Sequence, residues 1–208
     1  MESGEIKITR DGIGQDARQA MRGDIFRGLV ELITNCDDAY PDDQENQEIL
    51  ITIDFDADPL VVSVKDNAKG LTAKQLRDYM SLAGGSTSGH AAGENVRGLF
   101  GRGAKDVAIF GSVKFETIRN NKYSWLEIDG HEWTWKGNTD QPETVTKELR
   151  EKLGIPNNGF IATVTCSAPG LNLFKTAKTW ISRLTNHVQL RQISQRRNLK
   201  LAFKENKQ

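Results

Sequence analysis

A carboxylate, an amide and a second carboxylate follow one another at helical spacing near the start of the chain. Glu31, Asn35 and Asp38 occupy positions i, i+4 and i+7 of an apolar-periodic segment. At 3.6 residues per turn their side chains share one face of a helix. Such a face can hold a metal ion, a water molecule and a polar ligand together. The same pattern also fits an amphipathic helix with a solvated polar face.

Two further motifs follow along the sequence. Segment 66–72, Asp-Asn-Ala-Lys-Gly-Leu-Thr, comes directly after a strand-like run, and segment 98–105, Gly-Leu-Phe-Gly-Arg-Gly-Ala-Lys, comes directly before a helix-like run. Glycines let backbone N–H groups approach anionic oxygens, and a following helix points its positive end at them. The chain contains no Gly-x-x-x-x-Gly-Lys-Ser/Thr sequence, so the glycine-rich segment is not a Walker A loop.

Taken together and in this order, the three motifs resemble the GHKL superfamily of ATPases: gyrase B, heat-shock chaperone ATPases, histidine kinases and MutL. The microrchidia (MORC) ATPases are similar in motif style. The resemblance runs from about residue 15 to about residue 166. It implies that ATP and Mg²⁺ bind here, with Asn35 as the Mg²⁺ ligand and Glu31 as the general base for the attacking water. It also implies that Lys105 stabilises charge near the γ-phosphate.

By the same resemblance, Asp66 reads adenine, because a carboxylate accepts a hydrogen bond from the N6 amino group that guanine lacks. The family pattern is Asp-x-Gly-x-Gly. This chain keeps Gly70 but has Ala68 at the first glycine position. Alanine resists a positive φ, so we expect a slightly displaced loop with the site retained. Thr72 either supports the adenine carboxylate through a water, caps the following helix, or does both.

Other positions are assigned by the resemblance alone. Asp38 lies near the ribose or a metal-bound water, and Arg102 faces either phosphate or solvent. Segment 81–100 is interpreted as the ATP lid, which would bring Ser86 and Thr87 to the phosphates. Gly101 and Gly103 belong to the phosphate loop. Thr163, on a predicted strand, either helps to hold the adenine aspartate or has no function beyond its β propensity.

Periodicity predicts the elements that must position these residues. The pattern predicts a helix that Gly23 or Gly28 can interrupt, and then alternating strands and short helices. These elements are a helix over 15–40, strands over 49–55 and 60–64, a helix over 72–80, a helix over 104–110, strands over 112–118, 123–128 and 132–135, a helix over 144–153 and a strand over 160–166. The order indicates an α+β two-layer sandwich with a mixed, largely antiparallel sheet and helices on one face. The resemblance names it the Bergerat fold.

Composition and charge limit the alternatives. The chain has 208 residues, with 28 basic and 28 acidic side chains, and it lacks an apolar run long enough for a membrane span. Residues 171–208 carry nine basic side chains and one acidic one. We therefore expect an ATP-binding domain over 1–170 and a basic helical extension over 171–208 that begins a following transducer-like region. Cys36 and Cys166 are expected to be free buried thiols of a reducing compartment.

The leading hypothesis is a slow ATPase module whose lid closure and homodimerisation switch a larger protein. One alternative is a histidine-kinase-type catalytic domain, although no phosphoacceptor histidine helix precedes the motifs. The other is a module that binds nucleic acid or a protein client through its basic C-terminal segment, with ATP as a gate. The expected location is cytoplasmic, or nuclear in a eukaryote, with no membrane partner.

Overall fold

The computed structural model describes residues 10–81, 102–171 and 173–205. In these ranges the helices are α1 Arg10–Met21, α2 Ile25–Asp38, α3 Ala73–Ser81, α4 Arg102–Asp106, α5 Lys147–Leu153, α6 Ala177–Asn186 and α7 Val188–Ser194, with a 3₁₀ turn at Val107–Phe110. The strands are β1 Glu48–Asp54, β2 Val61–Asp66, β3 Ser112–Arg119, β4 Lys122–Asp129, β5 Thr134–Gly137, β6 Glu143–Thr144, β7 Gly159–Thr165 and β8 Asn198–Lys204.

The strands form one mixed sheet in the order β5-β4-β3-β7-β2-β1-β8, and β6 also pairs with β4. Strands β1 and β8 are parallel, whereas the other pairs are antiparallel. The predicted α+β sandwich is confirmed. The parallel pair is possible because two helices, α6 and α7, connect the inner strands to the sheet edge.

Alternation along the strands separates the two faces of the sheet. Val62, Val64 and Asp66 are buried on the inner face of β2, and the residues between them are only half-buried. Helix α2 covers this inner face with a continuous apolar surface that includes Leu29 and Ile33. The small helix α5 packs with a second apolar cluster around Ile118, Ile161 and Val145. Residues 118 and 161 alternate with the inner positions of β3 and β7, so α5 lies on the outer face, contrary to the expectation of helices on one face.

The predicted long N-terminal helix is two helices. Arg22 and Gly23 have positive φ values of 50° and 66°, which end α1, and the Asp24 side chain then caps α2 by accepting the Phe26 N–H at 3.1 Å. Gly28 continues the helix, and a Cβ there would lie only 3.0 Å from the Phe110 ring. The break at Gly23 is therefore confirmed, and Gly28 is a close-packing position.

The segment after residue 170 packs into the same core as the rest of the fold. Trp180, Leu190 and Ile193 are buried in the main apolar cluster, and β8 pairs with β1 over seven residues, from Asn198 to Lys204. The segment predicted as a helical extension thus also contributes an edge strand. In the described parts of the chain no helix has both the length and the apolar composition needed to cross a bilayer.

Candidate functional site

The three motifs lie on elements that meet at the inner face of the sheet. Helix α2 carries Glu31, Asn35 and Asp38, β2 ends at Asp66, and α4 begins at Arg102. Helix α2 packs against both β2 and α4. Motif residues that are far apart in the sequence therefore lie close together, because α2 contacts the elements that carry the other two motifs.

Asp66 is buried, with 2 % of its surface exposed. Its Oδ1 accepts the Ala68 N–H at 2.9 Å, whereas its Oδ2 is buried without a hydrogen-bond partner. Burial raises the pKa of Asp66 to about 6, although the Ala68 N–H and the neighbouring Cys36 thiol favour the charged form. A buried acceptor without a partner is costly, and a hydrogen bond from a ligand would offset this cost.

Ala68 lies in the loop after Asp66 without a left-handed backbone conformation. Ala68 is buried and is not among the described residues with positive φ. The left-handed turn falls on Gly70, with φ of 64°, where a Cβ would lie 2.4 Å from the Ile118 carbonyl oxygen. Replacement of the first family glycine therefore costs little at this backbone position, whereas Gly70 is required by sterics.

The Thr117 side chain anchors this loop by hydrogen bonds. This residue was not identified from the sequence. Its Oγ1 accepts the Leu71 N–H at 2.8 Å and donates to the Gly159 carbonyl oxygen at 3.1 Å. Thr117 is fully buried and is paired in register with Phe160, which in turn is paired with Asp66. The signal was a polar residue at an inward position of an alternating apolar strand, after Val113 and Phe115.

Thr163 is not brought to this site. It pairs with Ser63 of β2 and Lys114 of β3, between the buried residues Ala162 and Val164. Successive side chains of a strand point to opposite faces, so Thr163 lies on the outer face and Asp66 on the inner one. Strand register, which the local sequence does not encode, decides this.

Thr72 caps α3. Its N–H donates to Oε1 of Gln75 at 2.9 Å, while its Oγ1 accepts the Gln75 N–H at 3.2 Å. This reciprocal arrangement is a capping box. Thr72 is exposed, so its described bonds serve the helix terminus.

Glu31 and Asn35 lie one turn apart on α2. Burial raises the pKa of Glu31 above its ordinary value, and the nearby Asn35 amide partly opposes this shift. Asn35 is 3 % exposed, and its Nδ2 forms no hydrogen bond of acceptable geometry. A carboxylate with a raised pKa is suited to accept a proton near neutral pH, and the Asn35 amide is buried with unused hydrogen-bonding capacity.

Gly103 brings the third motif onto Glu31. A Cβ at position 103 would lie 2.3 Å from Oε1 of Glu31, so only glycine permits this approach. Lys105 follows on α4 and is half-buried. The predicted residues Ser86, Thr87 and Gly101, the segment 82–100, and the side chain of Arg102 lie outside the described residues.

The residues present fit a nucleotide with a magnesium ion. Oδ2 of Asp66 is a buried acceptor and Nδ2 of Asn35 a buried donor, each without a hydrogen bond of acceptable geometry, which suits a ligand with both donors and acceptors, and the Asn35 amide also has an oxygen that a metal ion can use. Among the described residues no three His, Cys, Asp or Glu side chains form a metal cluster. Mg²⁺ does not need one, because it takes few protein ligands and fills its octahedron with phosphate and water oxygens.

Both cysteines are buried free thiols, as predicted. Cys36 lies between Asn35 and Asp37 on α2, against the Asp66 carboxylate. Burial and the negative charge of Asp66 both raise the pKa of Cys36 well above its ordinary value. The residue therefore stays a protonated thiol at neutral pH and contributes a weak donor to the floor of the site.

Comparison with known proteins agrees with this geometry. A family model described as "Histidine kinase-, DNA gyrase B-, and HSP90-like ATPase" matches residues 24–154, more than half of the chain. The matched range contains α2, the loop after β2 and α4. No curated protein matches the sequence.

Proposed function

The chain belongs to the histidine kinase-, DNA gyrase B- and HSP90-like ATPase family, and from this premise we propose that it binds ATP with Mg²⁺ and hydrolyses it to ADP and phosphate. The observation that carries the proposal is the buried Oδ2 of Asp66, which forms no hydrogen bond of acceptable geometry within the described residues, with only the weak donor of the Cys36 thiol beside the carboxylate. The N6 amino group of adenine is a stronger donor that this oxygen can accept. Guanine has a carbonyl oxygen at that position, which would meet the carboxylate with repulsion.

In this proposal the residues of the first motif on α2, and Lys105 on α4, have separate tasks. Asn35 offers its amide oxygen to Mg²⁺, which when bound neutralises charge on the phosphate oxygens. Glu31 orients the attacking water and accepts its proton, a role supported by its raised pKa. Lys105 stabilises negative charge that develops on the transferred phosphoryl group. Asp38 lies on the same helix face, toward the ribose or the metal-bound water.

The remaining part of the proposal comes from the family. ATP binding closes the segment 81–100 with Ser86 and Thr87 over the phosphates held by Gly101, Arg102 and Gly103, and closure promotes a homodimer that switches a larger protein. Light scattering with and without a non-hydrolysable ATP analogue tests this step, since a monomer under both conditions would contradict it.

Phosphate release from Mg²⁺-ATP tests the hydrolytic proposal. We expect slow turnover by the parent and loss of turnover in Glu31→Gln, which preserves the shape of the side chain but cannot accept the proton. ATP binding should persist in this variant. A Glu31→Gln protein that hydrolyses ATP at the parent rate would remove the assigned base.

A further inference from the structure

Two arginines of the C-terminal segment converge on one buried carboxylate of α2. The Asp37 side chain is 2 % exposed and forms ion pairs with Arg196 and Arg197. Nε of Arg196 donates to Oδ1 of Asp37 at 3.1 Å, and Nε of Arg197 donates to the same oxygen at 2.7 Å. A second nitrogen of Arg196 bonds Oδ2. We call these three residues the arginine clamp.

The clamp contacts the helix backbone as well as the carboxylate. Nη2 of Arg197 donates to the Asp37 carbonyl oxygen at 3.3 Å. This carbonyl is in the last turn of α2 and also accepts the Tyr40 N–H at 3.5 Å. The arginines therefore fix the end of the helix that carries Asn35 and Asp38, on either side of Asp37.

Charge makes the clamp sensitive to the loss of either arginine. The Asp37 carboxylate is buried, and Arg196 and Arg197 are the two cations that form ion pairs with it. Asp37 is therefore ionised inside the fold. Removal of one cation leaves a buried charge that is poorly compensated, which favours local rearrangement of the helix terminus.

A chain of contacts joins the clamp to the loop between β2 and α3, residues 67–72, which we call the adenine loop. The Arg197 guanidinium lies 4.9 Å from the centre of the Tyr40 ring. The Tyr40 hydroxyl lies within hydrogen-bond distance of two acceptors, the Glu48 carbonyl oxygen and Oδ1 of Asn67 (2.8 Å), and it accepts the Asn67 N–H at 3.3 Å. Asn67 directly follows Asp66 in the chain.

The clamp therefore touches two motifs of the site. It pairs with Asp37, which lies between Cys36 and Asp38 on α2, and it reaches the residue after Asp66 through Tyr40 and Asn67.

We propose that the arginine clamp is a positioning device for the nucleotide site, through which the C-terminal segment and bound ATP affect each other. This inference rests on the proposed function. Arg196 and Arg197 lie between α7 and β8, 159 and 160 residues after Asp37. A force or partner that displaces β8 would move the end of α2 and the adenine loop together, and by linkage ATP binding would stabilise the β8 connection.

A second ion pair joins the other end of α2 to the C-terminal segment and provides a control. Nη1 of Arg183, on α6, donates to Oδ1 of Asp24 at 2.9 Å, and its guanidinium lies 5.0 Å from the centre of the Phe26 ring. Asp24 caps the start of α2, about 20 Å from Asp37 at 1.5 Å per residue. Arg183→Ala therefore removes an arginine–aspartate ion pair from the same helix, at a more exposed carboxylate (28 % against 2 % for Asp37) and far from the nucleotide residues.

Calorimetric titration of Mg²⁺-ATP into the parent, Arg197→Ala and Arg183→Ala proteins tests the clamp. We expect Arg197→Ala to raise the Kd for ATP about tenfold or more, and Arg183→Ala to leave it within about twofold, at a temperature where circular dichroism shows each protein folded. Arg197→Lys, which retains charge without the planar fork, should lie between the parent and Arg197→Ala. Equal effects of Arg197→Ala and Arg183→Ala, or no effect of either, would overturn the clamp.

ATP binding by the parent protein distinguishes failure of this inference from failure of the proposed function. A parent that does not bind ATP overturns both, whereas a parent that binds ATP with an Arg197→Ala variant of equal affinity overturns the clamp alone. If Arg197→Ala does not fold, hydrogen exchange of the parent decides. We expect ATP to slow amide exchange in residues 195–198, and unchanged exchange there would reject the coupling.

Discussion

The Asp66 carboxylate is buried with one oxygen bonded to the Ala68 N–H and the other oxygen without a partner. This arrangement reduces the stability of the ionised form and at the same time creates selectivity for a donor. A site that binds the amino group of adenine must keep the carboxylate ionised, and its raised pKa brings the protonation equilibrium close to the working pH.

The affinity for adenosine should therefore depend on pH. The pKa of Asp66 is raised to about 6, so the accepting, ionised form is lost as the pH falls below 6. We expect about tenfold weaker adenosine binding at pH 5 than at pH 7.5. Adenosine is the probe because it lacks the phosphates that titrate in the same range. Equal affinity at both pH values would show that Asp66 does not read the base.

Position 103 has no space for a side chain, because the Glu31 carboxylate occupies the position of the missing Cβ. A Cβ would lie 2.3 Å from Oε1 of Glu31, so Gly103→Ala should displace the carboxylate and reduce hydrolysis by about 10²-fold, as misplacement of a catalytic group by about 1 Å does. ATP binding should be largely retained. Gly28→Ala is the control, because its Cβ meets the Phe110 ring and not Glu31. Equal losses of turnover in both variants would attribute the effect to α2 packing.

Local sequence alone does not identify every residue of the candidate site. Spacing placed Glu31 and Asn35 on one helix face and Asp66 at the end of a strand, but the resemblance to the ATPase family assigned their roles. The roles of Thr163 and Thr117 could not be assigned from local sequence. The pairing register of β7 with β2 and β3 decides which residues of these strands lie beside Asp66. The alternation of β3 marked Thr117 as inward, but not as a loop anchor.

At the scale of elements, the loop between β2 and α3 depends on one left-handed residue. Gly70 has φ of 64°, and its missing Cβ would meet the Ile118 carbonyl oxygen at 2.4 Å. Gly23 has nearly the same φ, 66°, with nothing within 4 Å of its missing Cβ. The pair therefore separates backbone strain from steric conflict.

Substitution of both glycines by alanine should give unequal losses of stability. Gly23→Ala should lower the free energy of unfolding by about 1–2 kcal/mol, the cost of a left-handed alanine. Gly70→Ala should cost about 3 kcal/mol or more, because the backbone oxygen of Ile118 cannot rotate away. Urea unfolding followed by circular dichroism measures both values. Equal losses would mean that the loop shifts freely around position 70.

Most elements were predictable because their apolar residues alternate or recur with helical period. The strand β8 was missed although Leu199, Leu201 and Phe203 alternate with lysines and Ala202, because the charge of the segment favoured a solvated helix. The charges of β8 are satisfied by the domain: Lys200 pairs with Glu48 and Lys204 with Asp54 of β1. Cross-strand charge pairs are invisible until the parallel pairing is known.

For the whole molecule, the charge asymmetry has an internal explanation. Acidic side chains of the first 170 residues form ion pairs with basic side chains of the C-terminal segment, at Arg183, Arg196, Arg197, Lys200 and Lys204. These cations neutralise the fold's own carboxylates. The excess of Lys and Arg after residue 170 therefore gives less support to a nucleic-acid surface than its count suggests.

Removal of the C-terminal segment should destabilise the fold. A protein ending at residue 194 would lose β8 and the arginines that compensate the buried Asp37. It would leave the β1 edge open, a configuration that promotes aggregation. We expect a lower melting temperature and loss of ATP binding, while a protein ending at Glu205 should behave as the parent. A stable, ATP-binding protein ending at residue 170 would support the predicted domain boundary there.

The most direct measurement is calorimetric binding of ATP and of GTP, each with Mg²⁺, to the parent and to Asp66→Asn. An asparagine at this position presents a different donor and acceptor pattern to the base and carries no charge. We predict that the parent binds ATP and discriminates against GTP, and that Asp66→Asn loses ATP affinity and this preference. Binding of ATP and GTP with equal affinity by the parent, or ATP binding that is unchanged in Asp66→Asn, would contradict it.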